Sequence, residues 1–130
     1  MRAFVLVVWC GLLLAGAAAL GPLSRSVAFF GVLAGYEAVH IVAHLFLYGT
    51  LTALALLAGL SAVRAALLAL GVGVLQEAVQ LLSAGRGPGW PELFDLCVDG
   101  VAILGALVTT RVLWARRSRG SRTAVDSADG

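Results

Sequence analysis

The sequence predicts an all-α, polytopic membrane protein of about four transmembrane helices, with both termini in the cytoplasm. Three observations carry that prediction. Hydrophobic residues make up 61% of the 130-residue chain and charged residues only 12%, with a mean hydropathy of +1.00. A soluble domain carries about 25% charged residues, and so short a chain has too little interior to hide this much apolar surface from water. The apolar residues also fall into blocks of spanning length, and the arginines crowd one set of block ends.

A crossing helix needs about 20 mostly apolar residues. The first is expected over residues 3–20, with Arg2 before it and Gly21-Pro22 after it. Arg2, the apolar run and Ala17-Ala18-Ala19 share the outline of a cleavable signal, but the run is long enough to cross and is read as a span. Trp9 is too bulky for the position before a lipoprotein cysteine at Cys10. The next apolar block, residues 27–60, is too long for one helix. Its clean part is 38–60, and residues 24–36, with Arg25 and two phenylalanines, read as an interfacial segment. The third span is expected over 64–82, ending at the breakers Ala84-Gly85-Arg86-Gly87-Pro88-Gly89. The fourth is expected over 93–112, before Trp114 and a basic run. Residues 1–117 thus form the transmembrane domain, and the polar residues 118–130 are expected to be a disordered cytoplasmic tail.

Orientation follows from arginine placement, because cytoplasmic flanks collect positive charge. Arg2, Arg64, Arg111, Arg116, Arg117, Arg119 and Arg122 fall on the side of the termini, against Arg25 and Arg86 on the other. The chain is therefore expected in a bacterial cytoplasmic membrane, an origin to which its Arg-only, Ala/Gly/Leu/Val-rich composition points. A nucleic-acid partner is excluded, since the arginines sit at segment ends and in the tail rather than on a face interleaved with aromatics. Cys10 and Cys97 lie in apolar segments and form no disulfide framework.

Ionisable residues within a span cost at least about 2.5–3.5 kcal/mol each, so they need a partner or a role. Glu37, His40, His44 and Tyr48 recur at steps of three or four and form one stripe on the second helix. Gln76, Glu77 and Gln80 share a face of the third, and Asp95 and Asp99 stand one turn apart on the fourth. With four alternating spans these stripes converge toward the outer interface. The candidate binding cluster is His44, Tyr48, Glu77, Gln80, Arg86 and Asp95, with Asp99 one turn deeper. Glu37, Glu92 and His40 are read as headgroup-zone groups; the competing structural readings are a packed aromatic for Tyr48 and interhelical hydrogen bonding for Glu77 and Asp99.

His40 and His44 could present two imidazoles to a metal, with Glu77 or Asp95 completing a shell. Their spacing is not the His-Glu-x-x-His arrangement of zinc proteases, and neither metal nor cofactor is expected. Gly71-x-Gly73 lies in an apolar span with no Lys-Ser/Thr after it, so no phosphate loop is present. Ser83 is the only serine near the cluster and has no base at fixed spacing.

The pattern resembles the VanZ-like family of bacterial membrane proteins. The resemblance rests on His44-Leu-Phe-Leu-Tyr48, on Glu77-Ala-Val-Gln80 followed by Gly85-Arg86, and on Asp95-Leu-Cys-Val-Asp99 with Gly100 and Gly105 nearby. It covers residues 40–106. The chain departs from the family at His40-Ile41, where Asp-Lys is usual, at Asp99 for an Asn, and at Ala102 for a glycine. The resemblance implies a cell-envelope protein, whose namesake is linked to resistance to the glycopeptide teicoplanin. Three functions follow as expectations. The first is an outer-leaflet site that engages membrane lipid, a lipid-linked cell-wall precursor or a lipophilic antibiotic, with Arg86 reading phosphate or carboxylate. The second is an intramembrane enzyme with Glu77, Asp95 and His44 as acid-base groups. The third is a proton-coupled transporter component, which at four helices would need to form a homo-oligomer.

Overall fold

The computed structural model describes residues 1–29, 32, 36–85 and 87–126. Four helices follow one another: α1 (Arg2–Ser26), α2 (Glu37–Leu57), α3 (Ala62–Ala84) and α4 (Trp90–Asp126), with no strand among the described residues. Each contains a stretch long and apolar enough to cross a membrane. The 21 residues of α2 rise about 32 Å at 1.5 Å per residue, against a hydrocarbon core of about 30 Å.

The helix ends differ from the expected spans for local reasons. α1 continues through Pro22 to Ser26 instead of stopping near residue 20. Proline's fixed φ suits a helix, and its missing N–H removes only one bond of the ladder near the end. Ser26 Oγ then donates to Pro22 O at 2.9 Å. The interfacial segment expected over 24–36 therefore begins inside α1, and its residues 30, 31 and 33–35 lie outside the described residues. α4 continues through the basic run to Asp126, where a disordered tail is expected from residue 118. No proline follows Pro91, so no residue in that stretch lacks the N–H that the helical ladder needs.

α2 ends in a Schellman turn. Leu60 N–H donates to Ala55 O at 3.1 Å and Gly59 N–H to Leu56 O at 3.0 Å, with Gly59 at φ +95°. Ser61 then caps α3 by accepting from Arg64 N–H. A Cβ at Gly59 would meet no atom within 4 Å, so only the backbone conformation demands glycine there. Gly59→Ala is expected to cost about 1–2 kcal/mol and to lower the melting temperature of the detergent-solubilised protein by several degrees. An unchanged melting curve would show that this turn does not anchor the α2–α3 connection.

Specific contacts establish how the helices run. Arg2 Nη1 donates to Leu57 O and Trp9 Nε1 to Leu47 O, so α1 and α2 are antiparallel. Tyr48 meets Gln76 across α2 and α3, which are also antiparallel. His40 pairs with Asp95 and His44 with Asp99, so α2 and α4 run parallel, one turn for one turn. α2 and α3 each touch all the other helices, whereas among the described residues α1 and α4 do not touch. The bundle is a flattened rhombus with α2 and α3 across its short diagonal.

The inside of this bundle is unusually polar and its outside unusually apolar. His44, Thr52, Gln76, Glu77, Glu92, Asp95 and Asp99 are buried, while Val42, Phe46, Leu67, Val101 and Leu104 are each more than 60% exposed. Soluble monomers do not expose apolar surface on this scale. The four-helix unit is built to be solvated by lipid, as a multi-pass membrane protein is. Fully buried Ala55, Ala65 and Ala69 let the helices approach closely.

Candidate functional site

α2 presents His40, His44 and Tyr48 at successive turns, and α4 presents Asp95 and Asp99 at the same step. Because the two helices are parallel, the matching steps produce a ladder. His40 Nε2 lies 3.0 Å from Asp95 Oδ2, and His44 Nδ1 lies 2.8 Å from Asp99 Oδ1. One turn further in, Tyr48 OH donates to Gln76 Oε1 at 3.0 Å and ties α3 to the same stripe. The rings stack along it, with centroids 4.5 Å apart for His40 and His44 and 5.8 Å for His44 and Tyr48.

Access falls along the ladder. The side chains of His40 and Asp95 are 32% and 12% exposed, and those of His44 and Asp99 are 5% and 0%. The ladder begins at the end of the bundle remote from the N-terminus, in the first turns of α2 and α4. Glu92, which is buried, closes the start of α4 by accepting from Gly89 N–H at 2.7 Å, as an acidic residue does at the third position of a helix.

Two carboxylate oxygens in this region have no hydrogen-bond partner among the described residues: Asp99 Oδ2 and Glu77 Oε1. Glu77 is buried on α3, within electrostatic reach of Asp95, His44, Asp99 and Glu92. Space for Asp99 comes from Gly73, where an added Cβ would stand 2.7 Å from Oδ2.

One face of the ladder opens on a cavity of about 470 Å³. α1 supplies its apolar wall, including Leu12, Leu13, Gly16, Ala17 and Leu20, and α2 adds Ala43 and Leu47. His40, His44, Gln76 and Gln80 make it polar on the other side, and Trp9 completes the lining. The volume falls within the range of about 300–1,000 Å³ typical of ligand sites.

Of the sequence-predicted cluster, His44, Tyr48, Asp95 and Asp99 are joined in the ladder and its extension, Glu77 is buried beside them, and Gln80 lines the cavity. Arg86 lies outside the described residues. Of the three residues read by sequence as headgroup-zone groups, His40 is a ladder member, Glu92 is buried at the start of α4, and Glu37 is exposed. Gln76, Gly73 and the α1 wall complete the site from outside the predicted cluster. The equal spacing of His40/His44 and Asp95/Asp99 could have pointed to His40, since parallel helices pair equal steps. Nothing polar in α1 marks it as a cavity wall.

With Asp99 ionised, His44 Nδ1 is the donor of their bond and Nε2 remains for another partner. The arrangement can hold a polar group, move a proton, or bind a cation. Ser83 Oγ donates to Val79 O at 2.8 Å on the exposed surface of α3 and takes no part in the ladder. Compared with known proteins, the chain matches no family model, no curated protein and no solved structure.

Proposed function

We propose that this chain is a multi-pass protein of the bacterial cytoplasmic membrane that holds an amphiphilic molecule, a lipid or lipid-linked envelope component, in the cavity between α1, α2 and α3. The observation that carries this reading is the cavity's two-sided lining, aliphatic along α1 and polar at His40, His44, Gln76 and Gln80. A hydrocarbon tail gains from the first side, and a hydrogen-bonding head group gains from the second. On the arginine count the termini are cytoplasmic, so the mouth of the ladder faces outward. The VanZ-like resemblance supports the same role and extends it to tolerance of teicoplanin-type glycopeptides.

Gly16 provides the test, because it lines the cavity and a Cβ there would meet nothing within 4 Å. Gly16→Phe is expected to fill the cavity without disturbing the bundle. Lipid extraction of the purified wild type should yield a stoichiometric amphiphile that the variant lacks, with both proteins monodisperse in detergent. Equal recovery from both would sink the reading. Antibiotic profiling of a susceptible bacterium expressing wild type or Glu77→Gln tests the envelope role, and no change in any envelope phenotype would remove it.

A second reading, an intramembrane enzyme on an envelope lipid, is favoured by one observation. Asp99 orients His44 toward a cavity large enough for substrate, as a general base requires. It predicts that the extracted amphiphile is a mixture of substrate and product whose ratio changes in His44→Gln.

A further inference from the structure

One donor atom from each of His40, His44 and Asp95 lies within 4.8 Å of the other two. We infer that these three side chains form a binding site for a single divalent transition-metal ion of the zinc class, with its fourth position open to the cavity. Two imidazoles and one carboxylate are a ligand set that suits zinc, and three protein ligands plus an open position is the arrangement of reactive zinc sites.

Three further observations point the same way. His44 has its Nδ1 on the buried Asp99 carboxylate at 2.8 Å, which leaves the Nε2 lone pair available as a donor. A carboxylate behind the imidazole is the usual support of a metal-bound histidine, fixing tautomer and ring angle. His40 Nε2 and Asp95 Oδ2 are 3.0 Å apart, whereas tetrahedral ligands at about 2.0–2.1 Å from zinc stand about 3.3 Å from each other. An ion would therefore spread that pair by only a few tenths of an ångström.

Charge provides the third argument. Asp95, Asp99 and Glu77 are all buried, and among the described residues none is paired with an arginine. Two imidazoles are the only basic side chains that meet them in the ladder. Buried carboxylates without compensating charge are costly, and a dication beside them offsets that cost. Access is available too, since His40 and His44 both line the cavity. The site stands independently of what else the cavity holds, because its test uses metal ion alone.

The experiment is a titration of the full chain, purified in detergent and stripped with chelator, with Co²⁺ as a spectroscopic stand-in for Zn²⁺. One Co²⁺ per chain is expected, with the strong visible absorption of a four-coordinate ion, bleached by one equivalent of Zn²⁺. His40→Gln and Asp95→Asn should each weaken binding at least tenfold. Asp99→Asn should weaken it about 10- to 100-fold through the supporting carboxylate. Glu37→Gln, an exposed acid on the same helix, and Cys97→Ser, which removes an exposed thiol, should leave the titration unchanged. The absence of a stoichiometric band in wild type overturns the site, whatever the variants do. So does wild-type affinity in both folded His40→Gln and Asp95→Asn.

Discussion

Gly73→Ala is expected to destabilise the bundle by about 3 kcal/mol or more. The new Cβ would stand 2.7 Å from Asp99 Oδ2, a distance real Cβ atoms do not tolerate, and 3.5 Å from Leu96 Cδ2 and Tyr48 Cε1. Asp99 cannot swing away cheaply. Its side chain is fully buried and its other oxygen is held by His44 at 2.8 Å. Either that bond breaks or α3 and α4 move apart. Overpacking alone costs about 1–3 kcal/mol, and a disrupted buried pair adds to it. Gly71→Ala is the control, two residues away on the same helix, where a Cβ meets nothing within 4 Å. It should be neutral or stabilise by up to about 1 kcal/mol through helix propensity. Thermal unfolding in one detergent checks both, and matching losses in the two variants would refute the steric argument. Combining Gly73→Ala with Asp99→Ala should recover part of the loss, because the two changes act on one contact.

The His44–Asp99 pair should behave asymmetrically when it is broken and when it is replaced. His44→Ala strands a fully buried carboxylate whose Oδ2 already lacks a partner among the described residues, and a loss of about 3–5 kcal/mol is expected. Asp99→Ala strands the imidazole in the same way. Replacing both by leucine removes the charge requirement and fills the space with apolar atoms. The double variant should therefore unfold at or above the wild-type temperature, since apolar replacement of a buried pair is often neutral or stabilising. It should at the same time lose any metal or amphiphile that depends on His44. That outcome would mark the pair as retained for its chemistry. A double variant less stable than either single variant would instead assign the pair to holding the bundle together.

The number of spans, their order and the three polar stripes are legible in the sequence because each rests on local spacing. A turn of helix is 3.6 residues wherever it occurs, so His44 and Tyr48, or Asp95 and Asp99, share a face before any partner is known. Helix ends are less legible. Pro22 reads as a stop in isolation, yet it lies within α1, close enough to the helix end for the lost bond to matter little. His40 taken alone suits the headgroup zone, and only the parallel pairing of α2 with α4 puts Asp95 against it. Gly73 carries no chemistry of its own and becomes important only because a carboxylate from another helix uses its missing side chain.

The need for lipid as solvent, the segments that can cross and the polar helix faces can all be read along the chain. Composition and periodicity settle these things because they depend on residues near one another along the chain. Which polar face meets which is set by how the helices pack. That packing matches His40 with Asp95 and His44 with Asp99, sets Tyr48 on Gln76, and turns the apolar α1 into the wall of a cavity. Those choices depend on helix order around the bundle and on axial register, which small residues such as Gly73 and Ala69 set by how closely they let helices approach.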